Sequence, residues 1–240
     1  MNIPAWFLRL LCVLAFPLLT READAAVARP IAIVEHHQSN WQIVSCTTSA
    51  AKLNWAASEL QKYLQQMSGC LLPVVAEPGR KPALVLGLRQ ELSPEDRALL
   101  PAPAAGYDGY AVVIQPATRQ TPARIVIAGD NAPGVIYGVY DLLERFGCRW
   151  FYPTEDPADP EVVPALKTLS LPAGSWAVAS PMRYRICNGS EWFFEIEPFP
   201  ALKRLDWAMK ARYNAIGWQG DTQTPLEIQY RQLGASGLLG

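Results

Sequence analysis

The stretch from Asn131 to Pro153, NAPGVIYGVYDLLERFGCRWFYP, constrains this chain more than any other. It has a start, a body and a stop. Gly129-Asp130-Asn131 is a turn cluster in which Asp130 or Asn131 is placed to cap a helix, because a short polar side chain accepts from amides that the first turn leaves unbonded. Pro133 suits that first turn, where its missing N–H costs nothing. Ile136, Val139/Tyr140, Leu143 and Phe146 recur at helical spacing and make one apolar face, with Asp141, Glu144 and Arg145 mostly off it. Gly147 follows the last periodic residue, where a left-handed C-cap favours glycine. Cys148, Trp150, Phe151 and Tyr152 form a β-prone run that Pro153 ends. The expectation is a core helix followed by a buried strand, which is scaffold without chemistry of its own.

The flanking sequence supplies the rest of a layer. Leu53, Ala56/Ala57, Leu60, Leu64 and Met67 predict a second amphipathic helix, with N-caps available at Thr47, Thr48 and Ser49 and a stop at Gly69. Strands are predicted over 30–35, 41–46, 71–76, 83–88, 109–115, 124–128 and 168–171, the pair 109–115 and 124–128 being antiparallel. Ser93-Pro94-Glu95 opens a short helix, and the proline-rich acidic segment 155–164 reads as a loop. The economical arrangement is α+β, one mixed sheet carrying two main helices. Pro172-Ala173-Gly174 is expected to close it.

The pattern then changes. A strand over 182–186, a helix over 197–213, a strand over 214–218 and a helix over 225–233 alternate as parallel β/α units do. This tail is read as the truncated start of a (β/α)₈ barrel, so the predicted division is a signal peptide over 1–25, an accessory α+β domain over 26–178 and incomplete barrel over 179–240.

Composition bounds the partners. With a formal net charge of −1 over 240 residues there is no basic footprint, and no nucleic-acid partner is expected. Arg9 precedes the apolar run 10–19, and Ala23-Asp24-Ala25 offers an A-x-A cleavage pattern, so a secreted or periplasmic protein cleaved after Ala25, with no membrane association thereafter, is expected. Cys46, Cys70, Cys148 and Cys187 remain after cleavage; none forms a C-x-x-C pair or lies near a histidine, so neither metal nor cofactor is expected. Cys70 and Cys148 read as thiols at strand starts, and the pairing of the four stays open. His36 and His37, adjacent in a polar turn, read as solvated.

The ordered segments ASELQKYLQQMSGCLLPVV, ALVLGL, DGYAVVI and RIVIAGDNAPGVIYGVY, followed by DLLERFGCRWFYP, resemble the N-terminal, non-catalytic domain of family 67 α-glucuronidases and the second domain of family 20 β-hexosaminidases. The resemblance covers roughly 31–218 and implies a domain that accompanies a sugar-cleaving barrel.

A glycosidase needs two carboxyl groups flanking the scissile bond, and barrel enzymes mount them at the C-terminal ends of strands. Here the first strand end offers Arg185, Asn188 and Glu191, and the second Trp218, Gln219 and Asp221. PMRYRICNG is similar to the first barrel strand of family 20 enzymes, where an arginine matched by Arg185 holds sugar hydroxyls, although Ile186 replaces the usual glycine after it. MKARYNAIGWQGDTQ is similar to their second strand, with Asn214 and Trp218 in matching places and Gln219 where those enzymes carry histidine. The substrate-binding candidates are therefore Arg185, which can fork to vicinal hydroxyls or a uronate, Trp218, which can stack on a sugar face, and Asp221. The resemblance puts the catalytic acids beyond residue 240, and no catalytic residue is assigned. The expected function is the accessory domain and barrel start of an exported glycoside hydrolase acting on a polysaccharide or oligosaccharide. The alternative is a non-enzymatic carbohydrate-binding or domain-packing module.

Overall fold

The computed structural model describes residues 29–45, 50–151, 161–189 and 205–218. In chain order the elements are β1 (Ile31–Val34), β2 (Gln42–Ser45), α1 (Ala50–Ser68), β3 (Val74–Val75), β4 (Ala83–Leu88), α2 (Pro94–Ala98), β5 (Tyr107–Gln115), β6 (Arg124–Gly129), α3 (Ala132–Arg145), β7 (Arg149–Trp150), β8 (Glu161–Val162), β9 (Leu169–Leu171), β10 (Gly174–Ser180), β11 (Ile186–Gly189) and β12 (Ala215–Trp218). Residues 205–210 are also helical.

Six strands form one mixed sheet in the order β10-β5-β6-β4-β2-β3. β3, β2, β4 and β6 run parallel, with α1 as the crossover between β2 and β3. β5 is antiparallel to β6 and to β10. The fold class is thus α+β with a mixed sheet.

Each central strand is apolar on both faces, so both are covered. Ile43, Leu84, Leu86, Val112, Ile125 and Ile127 meet Leu53, Leu60 and Leu64 of α1 and Val135, Val139 and Leu142 of α3 in the main core. Val44, Val85, Val113 and Val126 pack on the other face with Leu92, Leu99 and Leu100 beside α2. α3 is buried nearly all round, which fits its seat against the sheet and α1. It sits so close that a Cβ on Gly134 would collide with the Gly109 carbonyl. Asn131 caps it, accepting from the Gly134 amide at 2.9 Å, and Ser93 caps α2.

Several expectations need correction. β1 and β9 do not join the main sheet; they pair with each other. Only Val74–Val75 of the strand expected over 71–76 is extended, and Leu71 is exposed. Pro172-Ala173-Gly174 does not close the sheet: β10 begins at Gly174 and forms its edge along β5. Small residues hid that strand, but Trp176 anchors it by donating from Nε1 to Asp141 at 2.6 Å. After Gly147 the chain does not enter the main sheet either. β7 is two residues long, pairs with β8 inside the segment expected to be loop, and leaves Phe151 exposed.

Gly147 itself is as expected, with φ +101. The Cys148 amide reaches Leu143 O at 3.2 Å and the Gly147 amide reaches Glu144 O at 3.0 Å, a Schellman ending. Cys70 and Cys148 are free thiols. His36 and His37 are exposed at positive φ, and His37 Nδ1 lies 2.7 Å from Ser68 O. Cys46 and the N-caps Thr47, Thr48 and Ser49 lie outside the described residues, as do Leu202, the 225–233 helix and the 1–25 segment.

Candidate functional site

The chemistry-bearing residues of the described chain gather along one seam. On one side is the α+β layer. On the other is a strand–helix–strand unit: β11, the helical residues 205–210, and β12, the two strands pairing in parallel with Ile186 opposite Ala215 and Gly189 opposite Trp218. Ala208 is buried and Met209 packs against the main core, giving the unit an apolar foot on the layer. The rest of the seam is charged, with bases of the unit facing carboxylates of the layer and Asp206 pairing with Lys210 inside the unit. The unit presents Arg185, Lys210 and Arg212. The layer presents Asp108, Asp141, Glu144 and Glu161.

Asp108 is built from the turn cluster upward. It is the second residue of β5, at φ +50, a left-handed conformation that few L-residues other than Asn and Asp adopt. The α3 cap holds it there, since Asn131 Nδ2 donates to its Oδ1 at 2.8 Å. Its Oδ2 accepts from Arg185 Nη2 at 2.6 Å and from Asn214 Nδ2 at 2.8 Å. Burial alone would raise this carboxyl, but the hydrogen bonds from Arg185, Asn131 and Asn214 and the adjacent arginine charge outweigh it and hold it below the usual carboxylate range.

Arg212 repeats the pattern from the other side. The helix at 205–210 ends with the Tyr213 amide on Ala208 O at 2.8 Å and the Arg212 amide on Met209 O at 2.9 Å. This is the Schellman ending seen at Gly147, but its left-handed position holds Arg212 at φ +65 instead of glycine. The guanidinium donates to Glu144 at 2.6 Å and lies 3.8 Å from Asp141. Of the four non-glycine residues at positive φ among the described residues, two are Asp108 and Arg212. Such backbone conformations persist where the surroundings over-determine them.

Lys210, with its side chain 5% exposed, is the most deeply set cation. Its Nζ is 2.6 Å from Asp206 and 3.3 Å from Glu161, and stands over the Tyr63 and Trp150 rings. Glu161 also accepts from Tyr63 Oη and Trp150 Nε1. Burial opposes the Lys210 charge, yet Asp206, Glu161 and Glu59 keep its pKa raised. Burial likewise pushes Glu161 up, but its donors and Lys210 hold it low. Burial and the Glu161 carboxylate drive the Tyr63 phenol far above its ordinary value.

Of the sequence-predicted site residues, Arg185 stands where it was not expected. β11 begins at Ile186, so Arg185 precedes the strand and lies at its N-terminal end, not at the C-terminal end. The reason is Asn214, whose side chain takes the backbone groups a strand partner would use: Oδ1 accepts from the Arg185 amide and Nδ2 donates to Arg183 O, both at 2.8 Å. The Arg185 guanidinium is committed to Asp108, to Arg212 O at 2.6 Å and to Met182 O at 3.1 Å. Trp218 ends β12, but its side chain is outside the described part of the structure. Asp221, Gln219 and Glu191 lie outside the described residues. Sequence reading missed Asp108, Glu161, Lys210 and Arg212. The one available signal was the excess of acidic groups in 141–161 against the bases of 203–212. Among the described residues no group of three or more His, Cys, Asp or Glu is placed to hold a metal ion, and no helix is long and apolar enough to cross a membrane.

The structure thus defines an α+β layer with a mixed six-stranded sheet and a parallel strand pair set against it through charge. Residues 30–142 match the family model described as "Glycosyl hydrolase family 67 N-terminus", so the resemblance read from the sequence is borne out. Among solved structures, a family GH115 4-O-methyl-α-glucuronidase with specificity for decorated arabinogalactans is similar at 14% identity and TM-score 0.54, covering 75% of this chain and 25% of that enzyme. A Streptomyces plicatus β-hexosaminidase aligns at 18% identity and TM-score 0.49 over 78% of this chain and 30% of its own. A Streptomyces coelicolor GH20 β-N-acetylhexosaminidase aligns at 17% and TM-score 0.49 over 78% of this chain and 31% of its own. The chain therefore spans a quarter to a third of the length of these enzymes. No curated protein matches it.

Proposed function

We propose that this chain is the N-terminal accessory domain and barrel start of an exported glycan-degrading hydrolase, and that the work of the α+β layer is to seat the first β/α unit of a catalytic barrel. The observation that carries this reading is the charged seam: three bases of the β11–β12 unit each meet a carboxylate of the layer. The match of residues 30–142 to a glycosyl hydrolase N-terminal family supports the glycan setting. The substrate would be a polysaccharide or oligosaccharide. It would meet the C-terminal strand ends near Gly189 and Trp218, away from Arg185, because barrel chemistry lies at that end. Trp218 and Asp221 remain the proposed sugar contacts there, and the catalytic acids would come from strands further along. Arg185 lies at the opposite strand end, where barrel residues serve stability.

The test is an assay of the purified 240-residue protein on a panel of aryl glycosides and glucuronosyl oligosaccharides. No turnover is expected, since two barrel units do not place two carboxyls across a glycosidic bond. Turnover that copurifies with the protein and is lost on mutating a residue of the α+β layer would contradict the reading.

A further inference from the structure

The seam holds one residue whose contacts exceed what docking requires. Asp108 touches three elements at once: the α3 cap through Asn131, the residue before β11 through Arg185, and the residue before β12 through Asn214. Asn214 in turn bonds the backbone of both Arg183 and Arg185, and its own amide donates to Arg185 O at 3.1 Å. Arg185 closes the ring by donating from Nε to Arg212 O. All these contacts lie at the N-terminal ends of the two parallel strands, immediately before Ile186 and Ala215 become partners. A one-residue slip of one strand against the other would turn its side chains to the opposite face. It would also separate Arg185 from Asn214, so that the two could no longer share Asp108 Oδ2.

We propose that Asp108 is a positioning residue: through Arg185 and Asn214 its carboxylate fixes the register of β11 against β12, and so sets which residues the strands present at Gly189 and Trp218. Two features argue against a purely local role. Glycine would adopt φ +50 at Asp108 without strain, yet a carboxylate stands there. Its two oxygens are also divided, one for the cap and one for the strand pair. This inference rests on the seam reading only for its consequence, the presentation of strand ends to a substrate. The register itself is testable whatever the substrate is, so failure of the glycosidase reading and failure of this one are distinguishable.

The experiment is native-state amide hydrogen exchange on the full 240-residue chain. Asp108→Gly keeps the backbone conformation and removes the carboxylate. It should speed exchange across 185–189 and 214–218 at least tenfold while leaving 83–88 and 124–129 unchanged. Asp108→Asn, which tolerates the same φ and keeps one acceptor oxygen, should rescue part of the loss. Asn214→Ala should reproduce the Asp108→Gly pattern, and the double variant should add little to either single change, because both break one linkage. Unchanged exchange in Asp108→Gly, equal loosening of all four segments, no rescue by asparagine, or fully additive effects in the double variant would each overturn the proposal.

Discussion

The layer and the seam are held by different physics. The layer is a two-faced apolar sandwich in which Leu60, Leu64, Leu84, Leu86, Ile125 and Ile127 are fully buried. Burying each such side chain stabilises the fold by about 1.5–3 kcal/mol, without regard to direction. The seam has a small apolar foot at Ala208 and Met209, and above it sets Arg185, Lys210 and Arg212 against carboxylates of the layer. Such pairs contribute little net stability after desolvation, but their geometry is specific. The two Schellman endings condense the contrast. In the layer the left-handed position holds Gly147, the unstrained choice. In the seam it holds Arg212, whose side chain is needed elsewhere. The layer is thus built for stability and the seam for orientation.

This contrast can be broken from either side. The largest effect should come from the layer: Leu84→Ala removes a fully buried side chain between the sheet and the helices and should cost about 2–5 kcal/mol, read as a lower urea midpoint for the whole cooperative transition. Gly147→Val should cost about 1–3 kcal/mol, since a β-branched residue tolerates φ +101 poorly. The nearest side chain, Pro164, would sit 3.4 Å from the new Cβ, so strain and not collision sets the size. A midpoint within error of wild type would show that the chain leaves α3 differently.

The seam should respond to pH where the layer does not. The carboxyls of Asp108 and Glu161 are held below their ordinary values when folded. Their contribution is therefore present above the unfolded carboxylate pKa and is lost as pH falls through the lower folded values. Arg185, Lys210 and Arg212 are raised, so their contribution is complete at lower pH and is lost only far on the alkaline side. NMR amide shifts of 205–218 should hold steady through neutrality and move on acidification below about pH 4, before those of 124–129. Simultaneous movement of both segments would place the transition in the layer.

The smallest expected effect is Arg145→Ala. Sequence reading puts Arg145 on the solvated side of α3, where truncation costs almost nothing. Arg145 is exposed, as expected, but its guanidinium is not free: it lies 3.6 Å from the Trp176 ring centroid and 3.5 Å from Asp141. A half-exposed stack of this kind contributes about 0.5–1 kcal/mol. A urea-midpoint change smaller than that would show that the stack on Trp176 adds nothing measurable to stability.

What was legible in the sequence follows the same division. Apolar periodicity and turn residues announce themselves locally, so α1, α3, β4, β5 and β6, the Asn131 cap and the Gly147 stop could be read from spacing alone. β10 leaves a weak signal because Ser175, Ala177 and Ala179 are small and only Trp176 and Val178 mark the strand. The aromatic content of 149–151 predicts a buried strand, but aromatic residues need not be buried, and Phe151 is 57% exposed. The seam was nearly invisible. Asp108 meets Arg185 across 77 positions and Glu161 meets Lys210 across 49, and no local pattern records such distant charge pairing. Arg185 was singled out for its chemistry, which was a useful signal, but the strand start that turns it toward Asp108 depends on Asn214, far along the chain.

Asp108 and Arg212 hold left-handed backbone conformations for the sake of what their side chains grip. Arg212→Gly tests this most directly, because local and seam accounts predict opposite signs. Locally, glycine relieves the strain of φ +65 and should tighten the helix end by up to about 1 kcal/mol. Under the seam account the loss of the contact to Glu144 dominates. Native-state hydrogen exchange on the full chain should then show faster exchange over 205–218, with 132–145 and 124–129 unchanged. Slower or unchanged exchange over 205–218 would show that backbone strain at Arg212 outweighs its grip on Glu144.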